Sequence, residues 1–429
     1  MIGKRRRSRL TAPVLLSTAA LLAVSACGSG PGGSGSGAGN GSPIHFALVA
    51  PLTGTYAENG APILQGAKAA VKILNDAGGV LGHKVVMDQV DTVGDAADAV
   101  PAVNREIGVN HPVFLDGPIT LSIHAVQPIF DKNHIVDGWN GGDTHFDKQT
   151  DKWLWRCNAS DSELGVALAK EAWDKGYKTA VVFMSESAST QTLTPVIENA
   201  YKALGGKILA TVSVVPAQSS YRTEVQNAVS YHPDVFLTQM EPSTASVAMA
   251  DFKEVDNLSI PFVGTDLTAG SDFIKAIGPA VAKAHFISVQ GSNALTAAGP
   301  AFVAAYQAVN GRAPLGGAAF SYDCAIDFAL AMTKANSTDP NVWIKSIKDV
   351  SNPPGISVSD YKTGVADIRA GKKINYEGAS GPMDFNQYHN VAGAWDVVVS
   401  NGDAAGDVTT LRTISANEIQ AVINKEGGR

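Results

Sequence analysis

The side chains best suited to chemistry in this sequence do not fall into any catalytic spacing. It contains no G-x-S-x-G elbow, no H-E-x-x-H pair, no C-x-x-C and no Walker-type phosphate loop. The nine histidines are scattered; His45, His83 and His285 fall at strand edges, where ordinary structural roles are expected. Neither an enzyme nor a bound cofactor or metal is indicated. What remains are polar groups at the ends of apolar runs. The stretch Asp116-Gly117-Pro118-Ile119-Thr120-Leu121-Ser122 reads as a turn entering a helix, and its hydroxyls and backbone N–H groups suit an anion or a polar ligand group. The loop from Pro51 to Gly60 follows an apolar strand and precedes a helix, which makes it a candidate site wall. The chemistry on offer is capture, not turnover.

These loops are positioned by alternating strands and helices. His45 to Ala50 supplies a strand and Thr53 to Gly60 a polar loop. Ile63, Ala67, Ala70, Val71 and Leu74 then form an apolar stripe at helical spacing. Asn75 to Gly79 stops that helix, with Gly78 and Gly79 suited to a left-handed cap, and Gly82 turns the chain into a strand from Lys84 to Val90. The alternation continues with a helix over 96–108, a strand over 112–115, a helix over 123–130, a strand over 135–137 and the loop Trp139 to Asp143. It resumes with helices over 165–175, 192–204, 221–230 and 243–255 and strands over 179–184, 207–215, 235–238 and 261–264. A strand over 285–289, a helix over 300–311, a long apolar helix over 320–335 and a closing strand over 394–399 complete the pattern, while 352–371 is interrupted by Pro and Gly. The class is α/β.

Pro51-Leu52-Thr53-Gly54, Gln65-Gly66-Ala67, Asn75, the run Gly78 to Gly82 and Asp91, in this order and spacing, resemble the opening of the Leu/Ile/Val-binding protein family. Those are extracytoplasmic solute-binding proteins of ABC importers with the type I periplasmic-binding-protein fold. Trp153 to Asp161 resembles that family's F-R-x-x-P-S-D segment, with Trp and Ala in place of Phe and Pro. The helix around Tyr322-Asp323 and the run Tyr376 to Phe385 are similar to its A-x-x-Y-D-A and Y-E-G-x-S-G-P-x-x-F motifs, so Ser380 belongs to a chain crossing and not to a nucleophile. The resemblance covers about residues 45 to 400. It implies two lobes, each a mainly parallel sheet flanked by helices, joined by a multi-strand hinge. Lobe 1 would comprise 44–160 with 292–382, and lobe 2 161–291 with 383–429.

The resemblance also carries over ligand positions. Tyr56 and Asn59 would reach the cleft from the first loop. The serine that holds an α-carboxylate in amino-acid binders is Leu121 here, leaving Thr120 or Ser122 to substitute. Gly141 and Asp143 stand where relatives offer a carbonyl and a threonine. In lobe 2 the stacking aromatic falls near Ala188, between Ser187 and Ser189, and a second tyrosine position falls near Glu241 beside Gln239. Asp266 keeps the acid that pairs with an ammonium. Asp143, Glu241 and Asp266 together favour a cationic or polyhydroxylated solute over a branched-chain amino acid.

The N-terminus reads as a secretory leader: five basic residues within the first nine, an apolar run from Pro13 to Val24, and Val24-Ser25-Ala26-Cys27, which resembles a lipobox with Cys27 as the acylated residue. The apolar run is short of the ~20 residues a spanning helix needs. Gly28 to Ser42 is a Gly/Ser-rich tether. Roughly 390 residues follow, the size of two lobes. With the leader removed, 28 Lys and Arg face 40 Asp and Glu, which argues against nucleic acid and against an electrostatic membrane partner. Cys157 and Cys324 both fall in segments that the resemblance assigns to lobe 1; either a disulfide or two buried thiols fits. The expected protein is a monomer on the outer face of a Gram-positive, actinobacterial type of cell membrane. It is held there by its lipid, binds a small-molecule solute and docks on ABC permease subunits; a ligand sensor signalling to a membrane partner is the alternative.

Overall fold

The computed structural model describes residues 41–54, 56–292 and 296–427. The leader, Cys27 and most of the tether lie outside them. Five strands open the described chain: β1 (Ile44–Ala50), β2 (Val85–Asp91), β3 (Phe114–Asp116), β4 (Val136–Trp139) and β5 (Leu154–Arg156). They form a parallel sheet in the order β2-β1-β3-β4-β5. Helices cover both faces of such a sheet, which is why residues 46–50 and 114–116 are buried without alternation.

The first helix, Ala57–Asp76, starts earlier than its sequence suggests. The Gly54 and Tyr56 carbonyls accept from the N–H groups of Ala57, Asn59 and Gly60, so the expected polar loop ends at Tyr56 and Glu58 and Asn59 lie in the first helical turn. Polar residues there are no bar to helix, because the first-turn N–H groups have no partner within the helix. At the other end Gly79, at φ 80°, donates to the Leu74 carbonyl at 2.8 Å, the left-handed cap the sequence indicates.

The second sheet is built from β6 (Thr179–Ser185), β7 (Lys207–Val214), β8 (Val235–Gln239), β9 (Phe262–Gly264) and β10 (Phe286–Gly291). The chain then returns to the first lobe, where the region interrupted by Pro and Gly holds β11 (Ile356–Val358) and the helix Tyr361–Arg369 and leads into β12 (Ile374–Tyr376). Two antiparallel strands, β13 (Trp395–Ser400) and β14 (Val408–Ile414), finish the second sheet in the order β14-β13-β10-β9-β8-β6-β7. Strand β14 and the closing helix Ala416–Gly427 had no sequence assignment. Met383, Phe385 and Val391 pack in the first lobe's core, so the final crossing lies after Val391 instead of at the expected 382. Among the described residues no helix is long and apolar enough to cross a membrane.

Two buried side chains tie these parts together. Asp323, on the helix Ala318–Ala335, accepts from Tyr376 Oη (2.9 Å), Ala379 N (2.8 Å), Ser380 N (2.7 Å) and Ser380 Oγ (2.5 Å). Two separate sequence motifs are therefore one hydrogen-bonded knot, and the Ser380 hydroxyl is committed to it. Arg156, 1% exposed, donates to Asp147 Oδ1 and to the Asp143 carbonyl, both at 2.6 Å, and lies 4.6 Å from the Trp139 ring centroid. Its backbone N–H donates to the His389 carbonyl and its own carbonyl accepts from Val391. One residue thus joins the first crossing, the loop after β4 and the approach to the last crossing. Next to it, Cys157 is disulfide-bonded to Cys324. Their bond lies against Gly138, where a Cβ would collide with the Cys324 sulfur.

Arg156→Met keeps the length of the side chain and removes its charge, leaving Asp147 and the Asp143 carbonyl without their donor. The expected loss is about 3 kcal/mol, read as a lower urea midpoint with the native circular dichroism retained. An unchanged midpoint would remove Arg156 from this role.

Candidate functional site

The expected ligand positions lie at the carboxyl ends of parallel strands, where α/β sheets gather ligands. Tyr56 follows β1, Thr120 follows β3, Gly141 and Asp143 follow β4, Ser187 follows β6, Glu241 follows β8 and Asp266 follows β9. Contacts across the lobes show that the two rims face each other. Tyr56 lies near enough to Glu241 for that carboxylate, together with burial, to raise its phenol pKa. Gly142 of the first lobe lies against the Asp161 carboxylate of the second, so closely that a Cβ at residue 142 would overlap it, and the Asp161 N–H donates to the Gly142 carbonyl at 2.7 Å.

Several expected residues are engaged with their own lobe. Asp143 is buried: its Oδ1 caps the His145 N–H and its Oδ2 sits 2.9 Å from His124 Nε2. Both oxygens are taken, so the acid that replaces the family's threonine is a local cap and not a free carboxylate. Ser187 forms a reciprocal cap with Thr190 at the start of the helix Ala188–Leu204. Ser189 Oγ accepts from the Gln239 side chain at 3.3 Å. Gly141 is pressed against the Trp139 indole. Asn59 and Thr120 are partly exposed, in the first turns of their helices. Ser122 is 1% exposed and its hydroxyl has no hydrogen-bond partner among the described residues. Glu241 accepts a short hydrogen bond from Ser185 Oγ.

Asp266 differs from these. It is accessible to solvent yet ringed by protein, as expected of a carboxylate on the wall of a cleft, and that enclosure raises its pKa. Close by is an acid that the ligand positions carried over from relatives did not include. Asp161, the first residue of the helix Asp161–Asp174, is pushed up to about 7, first by burial and then by the charge of Asp266, with Arg156 opposing and Asp143 and Asp147 adding to the rise. Among the described residues no donor is hydrogen-bonded to the Asp161 side chain. Its sequence context, directly after the helix-capping Ser160, reads as an ordinary helix start, and that masks it. Glu163, two residues further on, accepts from the Gly393 N–H at 2.9 Å and is also raised to about 7 by burial. Among the described residues no group of three acids, histidines or cysteines is arranged to hold a metal ion.

Known proteins are similar in fold and, more weakly, in sequence. The family profile described as periplasmic binding protein matches residues 43–404. The Leu/Ile/Val-binding protein BraC3 of Rhizobium johnstonii is 26% identical over 255 residues, spanning 54% of this chain and 67% of that protein. Leu/Ile/Val-binding protein homolog 3 of Brucella melitensis is 40% identical over 94 residues, which is 25% of its length. Among solved structures, the leucine-binding protein LivK of Thermotoga maritima superposes with a TM-score of 0.73 at 20% identity, covering 87% of this chain and 99% of that one. A solute-binding protein of an R. palustris ABC transporter in complex with benzoate superposes at 0.68 with 17% identity, covering 87% and 96%.

The electrostatics of the site have a measurable consequence. Asp116 (raised to about 8), Asp131, Asp161 and Glu163 (each to about 7) are all held up first by burial. An acid with a higher pKa folded than unfolded binds its proton more tightly in the native state. Its contribution is complete below about pH 4 and is lost as pH rises through 7 to 8. From these carboxyls, the melting temperature is expected to be higher at pH 5.5 than at pH 8. A melting temperature that climbs over that interval would show that these carboxyls are not held protonated.

Proposed function

Because this chain belongs to the periplasmic binding protein family, we propose that it is the extracytoplasmic solute-binding lipoprotein of an ABC importer, anchored through Cys27. Its cleft captures a small polar solute carrying a cationic amine. The observation that carries the solute class is the pair Asp161 and Asp266: two carboxylates near enough for the charge of Asp266 to raise Asp161, with Arg156 already committed to Asp147 and the Asp143 carbonyl. Two neighbouring carboxylates of like charge repel until one is protonated or a cation arrives. An ammonium placed between them relieves that repulsion and gains charge-assisted hydrogen bonds worth roughly 1.5–3 kcal/mol each. A few of these, with apolar contact, suffice for the ~8 kcal/mol of micromolar affinity.

The relatives named for leucine, isoleucine and valine, and the one in complex with benzoate, share the fold without fixing this chain's ligand. Leu121 stands in place of a carboxylate-holding serine, and Asp161 and Asp266 bring negative charge to the cleft. A carboxylate-bearing ligand is therefore less well served than an amine, an amino sugar or a polyamine. Solute binding stabilises the closed arrangement of the lobes, and permease subunits read that form.

A thermal-shift screen across polyamines, amino sugars, amino acids, polyols and nucleosides is expected to give its largest stabilisation with a cationic amine, a ligand at 100 times its dissociation constant adding about 2.7 kcal/mol. Calorimetry with that solute should show at least a tenfold weaker affinity for Asp266→Asn. If the best hit is an anion, or if Asp266→Asn binds as the parent does, the amine reading fails.

A further inference from the structure

The lobes meet at the chain crossings, where the segments Thr120–Asn133 and Thr144–Phe146 approach the helix Ala188–Leu204, where Tyr56 faces Glu241, and at the start of the helix Ser271–Ile277. Among the described residues, the hydrogen bonds that join the lobes away from the crossings come from a single side chain, Glu58. From the first turn of the helix Ala57–Asp76 its Oε1 accepts the Asp272 N–H at 2.8 Å and the Ser271 hydroxyl at 3.2 Å, both at the start of the helix Ser271–Ile277 in the second lobe. The backbone N–H taken up in this way is one that a helix start leaves without an internal partner. We infer that Glu58 is an interlobe clasp, a positioning residue that closes the mouth of the cleft and sets how much of the protein is closed before any solute arrives.

A second observation supports this independently. Gly270 precedes the clasped helix at φ −66° and ψ 145°, a conformation open to any residue, so backbone freedom does not explain the glycine. Space does. A Cβ at residue 270 would sit 3.1–3.2 Å from the three carboxylate atoms of Glu58, tighter than ordinary contact. The glycine in one lobe makes room for the carboxylate of the other, which is of use only when the lobes are together. The charges facing Glu58 are Asp272, which opposes its ionisation, and Lys275, which favours it.

The clasp also adjoins the ligand wall. Glu58 lies two residues beyond Tyr56, whose ring packs against Gly94 and whose hydroxyl environment includes Glu241 of the opposite lobe. A solute that seats Tyr56 therefore steadies the helix start that carries the clasp. Affinity follows from this arrangement, because a binding-competent state that is only partly populated weakens apparent affinity by its fractional population. Loss of the clasp lowers the closed fraction, weakens binding and speeds release without touching the solute.

The test needs no ligand in its first arm. Small-angle X-ray scattering of the solute-free parent, Glu58→Ala and Gly270→Ala is expected to give a larger radius of gyration for both variants, one altered in each lobe, while circular dichroism confirms that both remain folded. The double variant should be no more open than either single one. Scattering curves from the two variants that superpose on the parent would overturn the clasp. The second arm rests on the solute-binding reading: with the solute found by screening, Glu58→Ala should bind about tenfold more weakly, mainly through faster dissociation. Opening in the first arm without a solute in any screen would leave the clasp standing and count against the binding reading alone; opening with unchanged affinity would overturn the clasp's control of binding.

Discussion

Much of the architecture hangs on the surroundings of one buried guanidinium. Arg156 ends the last strand of the first sheet, and from there the chain leaves for the second lobe. Its two terminal nitrogens hold Asp147 and the Asp143 carbonyl, its plane rests on Trp139, and its backbone pairs with the segment that later brings the chain across for the last time. Asp147 in turn accepts from Ser160 and Ser162 at the start of the first helix of the second lobe. A buried cation of this kind is tolerable only because its partners are fixed around it. The consequence is that the loop after β4, the first crossing and the last crossing are set relative to one another, and with them Gly142 and Asp161.

That arrangement determines what the cleft offers. Arg156 is used up within the hinge, as is Asp143, whose carboxylate is taken by His124 and His145. The second lobe contributes Asp161 and Asp266 without a compensating cation hydrogen-bonded to either among the described residues. Enclosure raises both pKa values, and the charge of Asp266 adds to the rise at Asp161. Fold kinship with proteins named for leucine, isoleucine or benzoate leaves this local charge unaddressed, since ligand class lies in the side chains at the rim and not in the sheets beneath.

The sequence exposes the scaffold better than the site. Alternating apolar runs, with Gly78 and Gly79 stopping the first helix, are local signals and read correctly because each depends on a few adjacent residues. The start of the first helix was hidden because Glu58, Asn59 and Gly60 are as suited to a loop as to a first turn. Strand β14 was hidden because Val408–Ile414 lies at a sheet edge with mostly exposed or half-buried residues and no apolar run. Asp266 was legible as an acid after a strand. Asp143 looked equivalent to it, and only the positions of His145 and of His124, nineteen residues earlier, show that its oxygens are occupied. Asp161 and Glu58 were illegible for one shared reason: an acid at a helix start is common, and what distinguishes these two is a neighbour far along the chain, Asp266 for the one and the start of the helix Ser271–Ile277 for the other.

The central claim is that an enclosed pair of acids receives a cation. Asp161, pushed up to about 7, shares its proton with solvent between pH 6 and 7 in the free protein, and a bound ammonium favours the ionised form, so binding expels protons. The direct measurement is calorimetric titration of the parent protein with its best amine ligand, at pH 6.5, in buffers of differing ionisation enthalpy, repeated at pH 5.5 and 8. The account predicts net proton release at pH 6.5 and an affinity that rises with pH. Proton uptake, or an affinity indifferent to pH across that range, would contradict it.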